Sequence, residues 1–186
     1  MNRFFLSSLF ITLIIVSCHP KEDPGSVSPK DLYESCCGAE PVEFVHGNGK
    51  IYIPNVFTAN ADGKNDVFYP FVTTGITKVE NLVISDGDGT VLYEKTLLDL
   101  VNPAASGWFG LKPDGTYYKG LFKYKMSFVN DAGQSRAIEG SACCIVCDSA
   151  AVVFKGKAGC FYPIQYDELS GFNASAPNHE MNCFEH

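Results

Sequence analysis

Residues 122–128, FKYKMSF, alternate apolar and polar side chains without interruption. The apolar members are Phe122, Tyr124, Met126 and Phe128. Successive side chains of an extended strand point to opposite faces, so this pattern predicts a β-strand with one buried face. The chain must therefore fold in a way that covers one side of a sheet.

Other segments continue the strand pattern. Two β-rich runs in residues 81–95 flank Asp86-Gly87-Asp88-Gly89, which is a strong signal for a tight hairpin turn. Shorter strands are predicted at residues 50–53, 67–72, 141–147 and 150–154. No segment has helical periodicity over three turns, although residues 96–106 have room for one turn before Pro103. We therefore predict an all-β fold, an immunoglobulin-like antiparallel β-sandwich with Greek-key connections.

The N-terminus has the pattern of an export signal. Arg3 precedes an apolar run over residues 4–16, which is shorter than the roughly 20 residues that a membrane span needs. The run ends in Ile15-Val16-Ser17-Cys18, which resembles a bacterial lipobox. We predict that residues 1–17 are a lipoprotein signal peptide and that Cys18 is lipidated. The alternative is an ordinary cleaved signal peptide.

A polar, proline-containing segment follows Cys18 and is predicted to be a tether over residues 18–41. Lys21-Glu22-Asp23 resembles the signal that sends some lipoproteins to the outer face of the outer membrane, and a plain linker is the alternative. Lipid chains on Cys18 would hold the protein at a membrane surface without spanning it. The expected location is the outer membrane, facing either the cell surface or the periplasm.

Seven of the eight cysteines follow Cys18. They are Cys36, Cys37, Cys143, Cys144, Cys147, Cys160 and Cys183. In an exported protein these residues are disulfide candidates, and their odd number leaves one unpaired within the chain. Zinc or thiol redox chemistry at Cys144-x-x-Cys147 is a weaker interpretation. Zinc needs another nearby Cys pair or His, and redox chemistry needs the motif at a helix N-terminus, whereas it lies on a predicted strand. Strand alternation places Cys143 and Cys147 on one face and Cys144 on the other.

The segment IYIPNVFTANADGKNDVFYPF resembles the start of the gliding motility-associated C-terminal domain, also called the CHU-type C-terminal domain. That family typically begins I-x-I-P-N-x-F-T-P-N-x-D-G-x-N-D-x-F. The matching residues are Pro54, Asn55, Phe57, Thr58, Asn60, Asp62, Gly63, Asn65, Asp66 and Phe68, with Ala59 in place of the usual proline. Looser matches follow at residues 84–94, 107–110, 120–128 and 139–146, so the resemblance covers about residues 50–147.

The resemblance implies an immunoglobulin-like β-sandwich of the kind found at the C-termini of large secreted surface proteins, where it is a type IX secretion sorting module. This chain differs in carrying its own lipoprotein signal and about 39 residues after the module. We expect residues 42–147 to form the module and residues 148–186 to form a cysteine-containing C-terminal extension packed on it. A surface-displayed module is then a more reasonable expectation than a sorting signal.

The polar residues of the first motif have two interpretations. Asn60, Asp62, Asn65 and Asp66 carry oxygen atoms that suit calcium, although their spacing does not fit an EF-hand. Alternatively, their side chains close turns between two strands while Gly63 adopts a positive φ. The turn interpretation is favoured, and calcium is the one cofactor that the sequence suggests.

Several aromatic residues also have two interpretations, as a ligand-binding face or as part of the core. Trp108, Tyr117 and Tyr118 are candidates for a carbohydrate-binding face, but ordinary sandwich packing is the favoured interpretation. The formal net charge of −7 gives no basic patch for nucleic acid. No nucleophile elbow, metalloprotease or phosphate-loop motif is present.

These patterns predict a non-catalytic, lipid-anchored envelope protein that serves adhesion, display or assembly. Its expected partners are the membrane and another envelope protein or a glycan. The alternative is a glycan- or calcium-binding module of a surface nutrient-acquisition system.

Overall fold

A computed structural model describes residues 32–38 and 42–185, in which strands predominate over short helices. The predicted lipidation site, Cys18, and most of the tether lie outside these residues. The strands are β1 (Glu43–His46), β2 (Gly49–Tyr52), β3 (Val56–Thr58), β4 (Phe71–Val72), β5 (Ile76–Ser85), β6 (Val91–Leu97), β7 (Gly120–Asn130), β8 (Ser135–Ile145), β9 (Tyr166–Asp167) and β10 (Gly171–Phe172). A helix spans Pro103–Ser106, and 3-10 helices span Ser149–Phe154, Pro163–Gln165 and Met181–Phe184. The predicted all-β class is confirmed.

The largest sheet has the strand order β3-β8-β7-β5-β6. β5 and β6 form the predicted hairpin around residues 86–90, and β7 pairs with both β5 and β8 in antiparallel register. The alternating side chains of residues 122–128 are buried and exposed as predicted. One pairing differs from the expected antiparallel arrangement, because β3 runs parallel to β8 with Val56 opposite Cys143.

Two smaller sheets complete the strand framework, one with the order β1-β2-β4 and one formed by the β9–β10 hairpin. The main core joins the three-stranded sheet to the largest sheet, since Ile51 of β2 is buried in the same cluster as Leu82 of β5. An aromatic group lies at its centre. Phe68 packs edge-on against Phe122, with ring centroids 4.9 Å apart, and Trp108 contacts Phe122 in the same way at 5.0 Å.

A second core lies on the opposite side of β8 and is built from residues 32–38, the end of β8 and the C-terminal extension. Cys143 and Ile145 belong to this second core, whereas Ala142 and Cys144 belong to the main core. Because both faces of this part of β8 are covered, its sequence is a continuous apolar run rather than an alternating one. The extension therefore packs against the strands as an integral layer.

Three local predictions are corrected. Residues 150–154 form a 3-10 helix instead of a strand, because the carboxylate of Asp148 caps it by accepting a 2.9 Å hydrogen bond from the Ala150 N–H. The helical turn near Pro103 begins at this proline rather than before it, consistent with proline's tolerance in a first turn. Within residues 67–72 only Phe71–Val72 form a strand, since Pro70 has no N–H to donate.

Among the residues that the structure describes, no helix has the length and apolar character required to cross a membrane.

The aromatic centre of the main core can be tested by truncation. Phe68 is 0% exposed, so Phe68→Ala should lower the free energy of unfolding by about 3–5 kcal/mol through lost burial and a residual cavity. Denaturant unfolding with the disulfides intact would measure the change. Phe109→Ala is the control, because Phe109 is partly exposed and its loss should cost less than about 1 kcal/mol. Equal losses for the two variants would contradict the assignment of the core.

Candidate functional site

The polar loop, defined as residues 58–66, is organised by the carboxylate of Asp66. Its Oδ1 accepts hydrogen bonds from the Ala61 N–H at 2.6 Å and from the Asn60 N–H at 3.3 Å. Its Oδ2 accepts one from the Gly63 N–H at 2.6 Å. A carboxylate that closes a loop by accepting several backbone N–H groups is a structural device typical of Asx turns.

The backbone of the polar loop has positive φ at Ala61 (58°), Gly63 (85°) and Asn65 (51°). Glycine has no side chain to oppose this conformation, and asparagine tolerates it better than most residues do. Asn65 is held there by its buried amide, which accepts from the Ile164 N–H at 2.9 Å and donates to the Asn178 carbonyl at 2.8 Å. Both of these partners belong to the C-terminal extension.

Glu180 of the extension inserts into the polar loop. Its side chain accepts hydrogen bonds from the Thr58 hydroxyl at 2.8 Å, from the Asn65 Nδ2 at 2.6 Å and from the Asn60 Nδ2 at 3.4 Å. We call these four residues the Glu180 clasp. Glu180 is only 1% exposed, and a buried acidic group requires hydrogen-bond partners. Each of its three partner residues donates to its carboxyl group.

Burial raises the pKa of Glu180 above its ordinary value, because desolvation disfavours the charged form. The hydrogen bonds from Asn65 and Thr58 act in the opposite direction and lower this pKa, while the nearby charges of Asp62 and Asp66 raise it. The net shift is upward. The folded state therefore favours the protonated form of the Glu180 carboxyl group.

Asn55 forms a second attachment between the first motif and the extension. Its Oδ1 accepts from the Phe161 N–H at 2.7 Å, and its Nδ2 donates to the Gly159 carbonyl at 2.8 Å. The backbone N–H groups of Asn55 and Val56 both donate to the Phe161 carbonyl. The asparagines of the motif thus bind the backbone of the extension directly.

Three disulfides fix the same regions, which confirms the prediction of structural disulfide bonds. They join Cys36 to Cys143, Cys37 to Cys160 and Cys147 to Cys183. The first two link the segment 32–38 to β8 and to the extension, and the third links the end of β8 to the last 3-10 helix. Each closed loop stabilises the fold by roughly 2–4 kcal/mol.

Cys144 is the free cysteine of the described residues, and it is buried in the main core. Strand alternation explains this, because the neighbouring Cys143 points to the other face of β8. Burial raises the pKa of the Cys144 thiol, so it stays protonated and unreactive. The arrangement does not suit thiol redox chemistry at Cys144-x-x-Cys147, since Cys147 already pairs with Cys183.

The geometry offers little to a metal ion. Cys147, Glu180 and Cys183 each have a potential ligand atom within 4.8 Å of the others, but the two sulfurs are bonded to each other. In the polar loop, the Asn65 side chain is directed to the extension while Asp66 is occupied by backbone N–H groups. Calcium prefers six to eight oxygen ligands, so these contacts favour the turn interpretation over the calcium interpretation.

The predicted aromatic face is divided. Trp108 is 2% exposed and its Nε1 donates to the Leu111 carbonyl at 2.8 Å, so this ring packs in the main core. Tyr118 is half-buried against Trp108, and its hydroxyl donates to the Leu121 carbonyl. Tyr117 is 43% exposed and lines a cavity of about 280 Å³ together with Asp66 of the polar loop.

A larger cleft, of about 640 Å³, was not predicted from the sequence. We call it the hairpin cleft because the β9–β10 hairpin forms one wall, with Tyr166, Asp167 and Glu168, while β4 forms another, with Phe71 and Val72. These residues are about 95 positions apart in the chain. No local sequence pattern links them, so only the folded extension brings them together.

No protein-family model matches this chain, and no curated protein matches it. The contacts above define the class to which it belongs, a disulfide-braced all-β protein whose C-terminal extension is bound by its first motif.

Asp66 distinguishes a turn from a calcium site. Asp66→Ala should lower the free energy of unfolding by about 1–3 kcal/mol in calcium-free buffer with chelator, because it leaves loop N–H groups without their acceptor. Thermal or denaturant unfolding would measure it. Asp88→Ala is the control, since Asp88 is an exposed hairpin residue. A loss that appears only when millimolar calcium is present would contradict the turn interpretation.

Glu180 should make stability depend on pH. An acid whose pKa is higher in the folded than in the unfolded state stabilises the fold when protonated, and this contribution is lost as pH rises from the unfolded pKa through the folded one. Wild-type protein should therefore lose stability relative to Glu180→Gln between about pH 4 and neutral pH. Denaturant unfolding across this range would measure the difference.

Glu185→Gln, at an exposed position near the C-terminus, is the control and should follow the wild-type profile. A wild-type protein that gains stability relative to Glu180→Gln as pH rises would show that the clasp favours the ionised carboxylate.

Proposed function

We propose that this chain is a non-catalytic, lipid-anchored envelope protein that serves adhesion, display or assembly outside the cytosol. The observation that carries the proposal is the set of three disulfides that join the segment 32–38, the end of β8 and the extension to one another. Structural disulfides persist in oxidising compartments, consistent with the export signal and lipobox-like sequence at residues 1–18.

The proposal includes an immunoglobulin-like β-sandwich of the gliding motility-associated type. Two observations support it. The three-stranded sheet and the largest sheet bury side chains in one core, and Phe57 and Phe68 of the motif lie in its aromatic centre. The polar motif residues serve as turn formers and attachment points, so the motif has a structural reason to keep its spacing.

The extension supports display or assembly in preference to a sorting role. Thr58, Asn60 and Asn65 of the motif donate to Glu180 of the same chain, so these polar groups are not free to bind a transport component. The anchored N-terminal segment and the C-terminal extension are both joined to β8, which leaves the remaining sheet faces and loops for contact with an envelope partner.

The absence of catalysis is part of the proposal. The unpaired thiol is buried with a raised pKa, and the buried carboxyl group of Glu180 receives hydrogen bonds from structural residues. The thiol is therefore not a nucleophile that a substrate can reach, and the oxygens of Glu180 already accept hydrogen bonds from the fold.

A glycan- or calcium-binding module is the second candidate. One observation favours it, the cavity of about 280 Å³ that places the exposed ring of Tyr117 beside Asp66. The ring offers a flat apolar surface, and a carboxylate oxygen can accept hydrogen bonds from hydroxyl groups.

Lipid attachment tests the proposal directly. Cells that express the full chain with an alkyne fatty acid should yield labelled protein in the membrane fraction, and Cys18→Ser should abolish the label. Cys144→Ala is the matched control, since it removes the unpaired core thiol and should leave the label intact. Unlabelled wild-type protein, or a label that survives Cys18→Ser, would overturn the lipid anchor.

A further inference from the structure

The hairpin cleft has a buried floor and two distinct walls. Tyr69 and Ile76 of the floor are buried, and the loop that precedes the helix Pro103–Ser106 contributes Leu100 and Val101 to the rim. Its volume of about 640 Å³ is within the range of sites that hold a ligand or a short stretch of a partner. It is more than twice the size of the cavity beside Tyr117.

The wall supplied by the extension is held rigidly. The Tyr166 ring stacks on Phe71, with centroids 5.0 Å apart, and its hydroxyl donates to the Val72 carbonyl at 3.2 Å. The Asp167 Oδ1 accepts from the Leu169 and Ser170 N–H groups, which fixes the tip of the hairpin. A preformed wall loses little conformational freedom when a partner binds.

One nearly fully exposed aliphatic side chain lines this cleft, and a second follows the cleft wall in the chain. Val101, which lines it, is 91% exposed, and Leu169, which directly follows the lining residue Glu168, is 98% exposed. No other large hydrophobic side chain of the described residues has comparable exposure. A partner that covered these side chains would remove apolar surface from water, which favours binding.

The charge of the hairpin cleft is of one sign. Asp167 and Glu168 line it, whereas no lysine or arginine of the described residues does. The carboxylate of Glu168 forms no ion pair with any other residue that the structure describes. This face therefore complements a positive charge.

We propose that the hairpin cleft docks a segment of a partner envelope protein in which basic side chains stand beside apolar ones. The basic groups lie against Asp167 and Glu168, and the apolar groups pack on Val101 and Leu169. This inference rests on the assembly role proposed above and names the chemistry of its partner. It also gives residues 166–169 of the extension a function in addition to their structural one.

The geometry favours a protein segment over a glycan. Sugars stack on the free faces of aromatic rings, but Tyr166 and Phe71 stack on each other with planes 26° apart. Tyr166 also stacks on Tyr52, with ring centroids 5.9 Å apart, and Phe71 packs edge-on with Tyr69. Neutral sugars also have no positive charge to match two carboxylates and no aliphatic side chains to cover Val101 and Leu169.

Binding of defined probes to the full mature chain tests the proposal. The probes are capped hexapeptides that alternate valine with lysine, glutamine or glutamate, together with a neutral hexasaccharide, and calorimetry or fluorescence anisotropy measures affinity. We expect the lysine peptide to bind at least about tenfold more tightly than the glutamate peptide, and to weaken as salt rises. Tighter binding of the hexasaccharide, or no preference among the peptides, would overturn the inference.

Matched variants locate the binding. Glu168→Lys should weaken the lysine peptide about five- to tenfold, while Glu34→Lys, the same charge change at an exposed position outside the cleft, should change it less than about twofold. Val101→Ser should weaken it too, with the exposed Val45→Ser as its control. Equal effects of variant and control would place the binding elsewhere.

The outcomes remain separable from those of the lipid-labelling experiment. Labelled protein that shows no preference among the peptides contradicts the docking site alone. Unlabelled protein that binds the lysine peptide contradicts the anchor alone.

Discussion

The burial of one acidic side chain, that of Glu180, connects the polar loop to the C-terminal extension. Glu180 can be enclosed because Thr58, Asn60 and Asn65 all donate to it. Asp66 fixes the backbone of the polar loop around Asn60, while Thr58 is held at the end of β3. An enclosed acidic group without such partners would cost several kcal/mol. The turn at residues 58–66 and the position of the extension therefore depend on each other.

The disulfides and the clasp act on the same layer in different ways. Cys147–Cys183 restricts the unfolded chain and brings the last 3-10 helix to the end of β8, which leaves Glu180 only three positions from a covalent anchor. The hydrogen bonds then select one orientation of that segment. The alternation of side chains along β8 decides which cysteine stays unpaired. Cys143 faces the second core and pairs with Cys36, whereas Cys144 faces the main core.

Much of the strand framework could be predicted from the sequence, because its signals are local. The alternation in β7 and the Asp-Gly turn between β5 and β6 specify those elements within a few residues. The 3-10 helix at Ser149–Phe154 was mistaken for a strand because its short apolar run suits either element, and the cap from Asp148 decides between them. Two of the three disulfides and the partners of Glu180 depend on contacts more than 100 positions apart, and the third disulfide joins cysteines 36 positions apart. No short window of sequence contains such pairs.

The hairpin cleft depends on the same long-range attachment as the polar loop. The Asn65 amide accepts from the Ile164 N–H, only two positions before Tyr166, and Tyr166 is the residue that stacks on Phe71 and forms the cleft wall. The Gln165 side chain, between them, donates to the carbonyls of Ala174 and Ala176, which closes the base of the β9–β10 hairpin. A continuous path of hydrogen bonds and ring contacts thus connects the motif at residues 53–68 to the cleft. The polar residues of the motif position the β9–β10 wall of the cleft but do not line the cleft themselves. They therefore act on any cleft ligand only through the extension. The extension is the part of the chain that adds a binding surface to the strands.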